Sequence, residues 1–257
     1  MLIVWGKNDP LTVEGVGHNR RGETLMAFRK NATVVLVHGA WADGSSWETV
    51  INSLSEAGLG VVCAPLPLTT LSDDAAAVKR AIAHVDGPVI LVAHAYAGAV
   101  IASVDDHKVN GLVYITALAP DEGETTAEVF YRETPHPDAP KLAPDNAGYI
   151  WMPHEGIQRA FAPNASADEK VRLEAVQRPI HVACIQEKAP APAWKTKPTW
   201  YLIAEEDRMI PEKTQRFMAE RMKATIRTAA ADHTPSLTMP RPVVQIVLEA
   251  AHATLTG

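Results

Sequence analysis

Two polar residues late in the chain have the chemistry for acid–base work. Asp207 follows the apolar run at 199–204 (TWYLIA), and His233 follows the run at 224–229. An imidazole accepts a proton near neutral pH, and a carboxylate beside it fixes the tautomer and stabilises the imidazolium. Each residue sits just past a predicted strand, so both can converge at one edge of a sheet, where open α/β sheets bind ligands. Two earlier segments have the same placement: 37–44 (VHGAWADG), after the first clear strand, and 91–98 (LVAHAYAG). The second reads as an apolar strand running into a tight turn of small residues and then a helix. Its central residue is Ala95, and a methyl group cannot attack anything.

These residues need a scaffold. From residue 33 short apolar runs alternate with helical patterns, which predicts a mostly parallel sheet covered by helices. Residues 33–38 (TVVLVH) show almost no polar alternation, as a strand buried on both faces requires. A helix over about 46–57 stops at Gly58, a residue that tolerates positive φ. Strand 60–64 follows, then a helix capped by Ser72-Asp73-Asp74, whose acids lie at the positive end of its dipole, running through His84. Strand 88–93, helix 97–104 and strand 111–118 complete this half. The rhythm resumes with strand 199–204, a helix opened by Pro211, strand 224–229 and a terminal helix over 242–255.

Residues 120–197 break the rhythm and hold more than half of the chain's 19 prolines. They contain short amphipathic pieces at 128–132, 155–162 and 167–177, and one brief, ambiguous extended stretch at 179–184. Phe130, Tyr131, Ile150, Trp151, Met152, Phe161 and Trp194 are too many apolar residues for a disordered loop. A Pro-rich insert of small helices between two strands reads as a cap over a cleft. The expected organisation is a core of residues 31–119 and 198–257, a cap insertion at 120–197 and an N-terminal extension at 1–30. Met26, a few residues before the first strand, is a second candidate start beside Met1.

Five segments in this order carry a resemblance: VHGAWADGSSW, LVAHAYAGAV, LVYITALAPDEGE, YLIAEEDRMIP with QRFMAERM, and DHTP. They resemble the α/β-hydrolase superfamily, in the branch of small bacterial esterase-like proteins similar to plant methylsalicylate esterases and hydroxynitrile lyases. The likeness runs from about residue 32 to 255. It implies an α/β-hydrolase fold, with a mostly parallel central sheet, flanking helices and a helical cap insertion. The family's elbow is Gly-x-Ser-x-Gly, followed along the chain by an acid and a histidine. By this resemblance Ala95 occupies the nucleophile position, with the serine absent, Asp207 is the acid and His233 the base. The backbone N–H groups of Ala40 and Tyr96 would form an oxyanion hole, which needs no particular side chain. Ala93 and Ala97 stand where the family usually has glycine, and small residues still permit the turn. Tyr96 and Thr234 are poor substitutes for the nucleophile. His94 reads as structural, and Glu205 and Glu206 as solvated neighbours. Trp41 and Trp151 are candidates for the substrate pocket, and the cap's aromatics point to an apolar or aromatic ligand.

Ala95 is either natural or engineered from serine. The replaced flanking glycines favour a natural sequence. A natural alanine leaves three classes: base chemistry by His233 and Asp207 beside an oxyanion hole, a catalytically inactive binder of a small molecule, or a structural protein. Retention of both polar residues favours the first.

Bulk properties narrow the rest. A net charge of −6 argues against a nucleic-acid partner. No apolar run approaches the roughly 20 residues that span a bilayer. The short apolar N-terminus, with no basic segment before it, does not read as a signal peptide, so a cytoplasmic protein is expected. Cys63 and Cys184 make no redox or metal spacing, and the ten histidines are scattered. With no phosphate-binding glycine loop or Rossmann fingerprint, no metal, nucleotide or flavin cofactor is expected. The identity of the substrate and the oligomeric state are not legible in the sequence.

Overall fold

Short apolar and β-branched runs make eight strands in the computed structural model, which describes residues 27–256. They are β1 (Thr33–Val37), β2 (Gly60–Ala64), β3 (Val89–His94), β4 (Val109–Ile115), β5 (Tyr149–Ile150), β6 (Ile180–His181), β7 (Thr199–Ala204) and β8 (Thr225–Ala229). Six of them pair in parallel, in the order β2-β1-β3-β4-β7-β8. Alternate side chains of a strand leave on opposite faces. Val35, Leu91, Tyr114 and Tyr201 accordingly enter one apolar cluster, while Val34, Ile90, Val113 and Leu202 enter another. Burial on both faces explains the unbroken apolar runs.

The helices are α1 (Glu48–Glu56), α2 (Leu71–Ala83), α3 (Ala97–Ala102), α4 (Thr126–Phe130), α5 (His154–Gly156), α6 (Ala167–Val176), α7 (Val182–Gln186), α8 (Glu212–Arg221), α9 (Pro235–Thr238) and α10 (Pro240–Thr254). α5 continues as a π-helical turn over Ile157–Phe161. α1 and α10 bury their apolar stripes against one face of the sheet, and α2, α3 and α8 against the other. Among the described residues no helix is long and apolar enough to cross a membrane. The extension and the alternative start at Met26 fall outside the described residues, apart from the last few positions before β1.

Several boundaries differ by a residue or two from the sequence expectation, and three of them have a clear local reason. Thr70, not Ser72, caps α2, its side chain accepting from Asp73 N at 3.0 Å. That shift carries Asp74 into the interior, where it is fully buried. β4 ends at Ile115 because Thr116 has φ +40°, a value no strand residue holds. The chain then bends toward β3, and Leu118 N donates to Ala95 O at 2.9 Å. Pro211 precedes α8 as its N-cap instead of entering the first turn.

Residues 120–197 contribute no strand to the six-stranded sheet; β5 and β6 pair with each other, antiparallel. Ile150, Met152, Phe161, Ile180 and Trp194 join the same apolar cluster as Leu91 and Tyr114. Polar contacts tie the segment to residues lying just past the strand ends. Trp41 N, after β1, donates to Arg178 O at 2.9 Å, and Asn164 N donates to Asp232 Oδ2, after β8, at 3.0 Å.

Candidate active site

β3 runs straight into a turn whose central residue, Ala95, has φ +50°. Left-handed backbone is costly for any residue with a Cβ, so neighbouring contacts must hold it there. Ala95 O accepts from Gly98 N at 3.1 Å and from Leu118 N at 2.9 Å. Gly98 is forced by this packing, since a Cβ there would lie 2.3 Å from Leu118 O. Gly39 lies close on the other side, where a Cβ would meet both Ala95 Cβ and His94 O at 3.0 Å. Ala93 and Ala97, fully buried, fit without glycine.

Asp207 and His233 come together although 26 residues separate them. His233 Nδ1 lies 2.8 Å from Asp207 Oδ2, and both side chains are buried. A carboxylate only accepts, so Nδ1 carries the proton and Nε2 is left as the basic nitrogen. Asp207 takes four further donors: Met209 N at 2.7 Å, Ile210 N at 2.9 Å, Gln215 Nε2 at 3.3 Å and Thr116 Oγ1. Glu205 and Glu206, next to it in sequence, are exposed. The loop of His233 is fixed from both sides. Asp232 accepts from Thr234 N at 3.1 Å and Thr238 Oγ1 at 2.6 Å, and His94 Nε2 donates to His233 O at 2.6 Å. Thr234 is thereby committed to its own loop.

Two other histidines back the site as neutral rings. Burial, with the nearby His233 second, pushes His94 down to about 3. Burial also lowers His38, whose Nδ1 lies 2.9 Å from Gly39 O and whose Nε2 accepts from Leu66 N at 3.2 Å. The His94 ring sits 4.8 Å from that of His233, and Phe161 covers His233 at 5.2 Å.

One pocket brings Ala40, Trp41, Ala95, Tyr96 and His233 together. The backbone N–H groups of Ala40 and Tyr96 have no hydrogen-bond partner among the described residues. The Tyr96 ring turns away from the pocket's polar end, its OH donating to Asp74 Oδ2 at 2.7 Å. Asp74 also accepts from Leu68 N at 2.7 Å and faces Cys184 Sγ at 3.7 Å, and burial raises its carboxyl above the usual range. Leu118, Phe130, Leu142, Ile180, Ile185, Met209 and Ile210 make the rest of the lining mostly aliphatic, with no Lys, Arg, Asp or Glu.

Trp151 is a correction. It is 52% exposed and absent from the lining, where Ile150 takes its place. Ile150 points inward from β5, so the next residue of an extended chain points out. Trp41 does line the pocket, in a left-handed turn at φ +59°, with Nε1 donating to Ile150 O at 2.9 Å. Asp74 carries no signal in the sequence beyond helix capping, and Thr116 and Gln215 look like ordinary polar residues until the fold places them on Asp207.

The alpha/beta hydrolase family matches residues 34–246 of this chain. A carbendazim hydrolyzing esterase of Nocardioides sp. (strain SG-4G) is 32% identical over 122 residues, which is 40% of this chain and 49% of that protein. The match thus spans about half the length of that relative. Among solved structures, polyneuridine aldehyde esterase superposes with a TM-score of 0.74 at 18% identity, covering 86% of this chain and 99% of that one. A pyrethroid hydrolase from Sphingobium faniae JZ-2 gives 0.71 at 21% identity, covering 86% and 98%. A methylesterase from Arabidopsis gives 0.70 at 18%, covering 85% and 98%. At such identities these structures share the fold with this chain.

Proposed function

Because the chain belongs to the alpha/beta hydrolase family, we propose that it is an esterase-like enzyme acting on a small, uncharged apolar or aromatic ester or carbonyl compound. His233 and Asp207 serve as a general-base pair, the Ala40 and Tyr96 amides as an oxyanion hole, and Ala95 stands at the nucleophile position. Residues 120–197 act as a cap that shields the pocket from water. The observation that carries this reading is the buried 2.8 Å Asp207–His233 pair beside a pocket that Ala95 also lines. The absence of charged side chains from the lining supports an uncharged substrate, since a buried ionic group without a partner is costly.

Without a serine, water supplies the attacking oxygen. Nε2 of His233 takes a proton from water as its oxygen adds to the acyl carbon. The imidazolium is held by Asp207, and the new oxyanion accepts from the two amides. Collapse of the adduct breaks the bond to the leaving oxygen, which recovers the proton from Nε2, giving acid and alcohol. Oxyanion and binding effects alone leave roughly 10³–10⁴-fold catalysis in triad enzymes stripped of a member, so the turnover expected is slow. The neutral His94 ring puts no positive charge beside the forming imidazolium.

Hydrolysis of phenyl acetate by the wild type and by His233→Ala tests this. Slow turnover that falls at least about tenfold in the variant supports base catalysis. Equal rates, or no rate above the uncatalysed one, reject it. Saturable binding of apolar ligands without turnover would make the protein a small-molecule binder instead.

A further inference from the structure

The pocket meets solvent through its insert side. The lining residues that stand at the sheet edge, Ala40, Trp41, Ala95, Tyr96 and His233 among them, are all buried. Those that are half-buried or exposed are Ala127, Phe130, Tyr131, Leu142 and Ile185, and every one belongs to residues 120–197. The mouth therefore lies between α4, the stretch before β5 that carries Leu142, and α7. Tyr131 is the most open of the five, at 55% exposure. Trp151, Val171 and Val176 are also large, apolar and exposed, but none of them lines the pocket. A single apolar side chain in water needs no explanation. One that lines the mouth of an apolar pocket stands where a ligand rests or passes.

Tyr131 is also positioned in advance. It ends α4, its N–H donating to Ala127 O at 3.0 Å. Phe130 meets it edge to face, with ring centroids 4.9 Å apart and planes at 90°. The next residue, Arg132, lays its guanidinium 3.6 Å from the centre of the Phe217 ring of α8. The chain is thus held on both sides of Tyr131, while more than half of that residue's own surface stays open. A tyrosine has only two side-chain torsions to fix, so a ring placed this way offers a large contact area at a small entropic cost.

We propose that Tyr131 is an outer aromatic subsite of the pocket. A ligand whose carbonyl oxygen meets the Ala40 and Tyr96 amides extends outward between α4 and α7 and lays an aromatic ring against Tyr131. The site then selects esters that carry such a ring away from the carbonyl over saturated-ring analogues of the same length. This rests on the pocket being the ligand site, as in the function proposed above, but not on turnover.

Binding is read by calorimetry with benzyl, 2-phenylethyl and 3-phenylpropyl acetate, each against its cyclohexyl counterpart. At one chain length or more, wild type binds the phenyl ester at least about threefold tighter than the cyclohexyl one, the worth of an aromatic pair beyond its buried area. Tyr131→Ala abolishes that preference, and Tyr131→Phe, which keeps the ring, retains it. A general loosening of the pocket would weaken both members of a pair and leave their ratio unchanged. No phenyl preference at any length in wild type, or a preference that survives in Tyr131→Ala, overturns the subsite while leaving the pocket as the ligand site. If none of the esters binds, the ligand class proposed for the pocket falls, and the subsite with it.

Discussion

The Asp207–His233 side of the pocket is dense with side-chain polar contacts, whereas at the elbow the central side chain is only a methyl group. Asp207 gathers five donors, and His233 is held at its ring by Asp207 and at its carbonyl by His94. Opposite stands Ala95, a methyl group between the fully buried alanines 93 and 97. Yet the backbone of this second region is not relaxed. It keeps φ +50° at Ala95 and the close approach of Gly98 to Leu118 O, although no side chain there makes use of the geometry. In the proposed function, proton transfer falls to His233 and anion binding to the Ala40 and Tyr96 amides, while water brings the attacking oxygen.

The contrast can be broken or sharpened by substitution. The largest effect is expected from Ala95→Ser, which gives the strained turn a hydroxyl. Hydrolysis of aryl acetates should rise at least about 100-fold, and adding Asp207→Asn should return the rate to the wild-type level. Next is Gly98→Ala, which forces a methyl onto Leu118 O. Urea unfolding should show a loss of about 2–4 kcal/mol, a cost borne by the elbow backbone and independent of the base.

The pH dependence of stability follows, and its sign comes from His94. Its folded pKa of about 3 lies below the unfolded value of 6.5, so between those values the unfolded chain binds the extra proton. Stability attributable to this residue is complete above pH 6.5 and falls with pH by about 1.4 kcal/mol per unit down to about 3. His94→Gln should flatten the slope of unfolding free energy between pH 6 and 4 by that amount, whatever it does to stability at pH 7. The smallest effect is expected from Ala95→Gly, which relieves the left-handed turn and should raise stability by about 1 kcal/mol in the same urea assay.

Much of this arrangement was legible in the sequence. β7 has the bounds expected from its apolar run, because burial along its whole length keeps the run sharply bounded, and the half-buried edge strand β2 has them as well. Asp207 and His233 stood out because a lone acid and a lone histidine past two strands are conspicuous. What escaped was side-chain direction. Asp74 looked like one more acid at a helix start until the cap at Thr70 turned it inward onto Tyr96. Trp151 looked like a pocket residue because it is large and aromatic, but the two-residue period of β5 gives that place to Ile150. Tyr131 was one of several aromatics in the insert, and only the fold shows that it both lines the pocket and stays open to solvent.

The central claim is that the site lacks only its nucleophilic oxygen. Intact-mass measurement after exposure to an alkyl fluorophosphonate tests it most directly, with wild type, Ala95→Ser and Ala95→Ser/His233→Ala side by side. The single variant should gain one phosphonyl adduct, located to residue 95, while wild type gains none and the double variant reacts far more slowly. A folded Ala95→Ser protein that stays unlabelled, or labels equally fast without His233, would contradict the account.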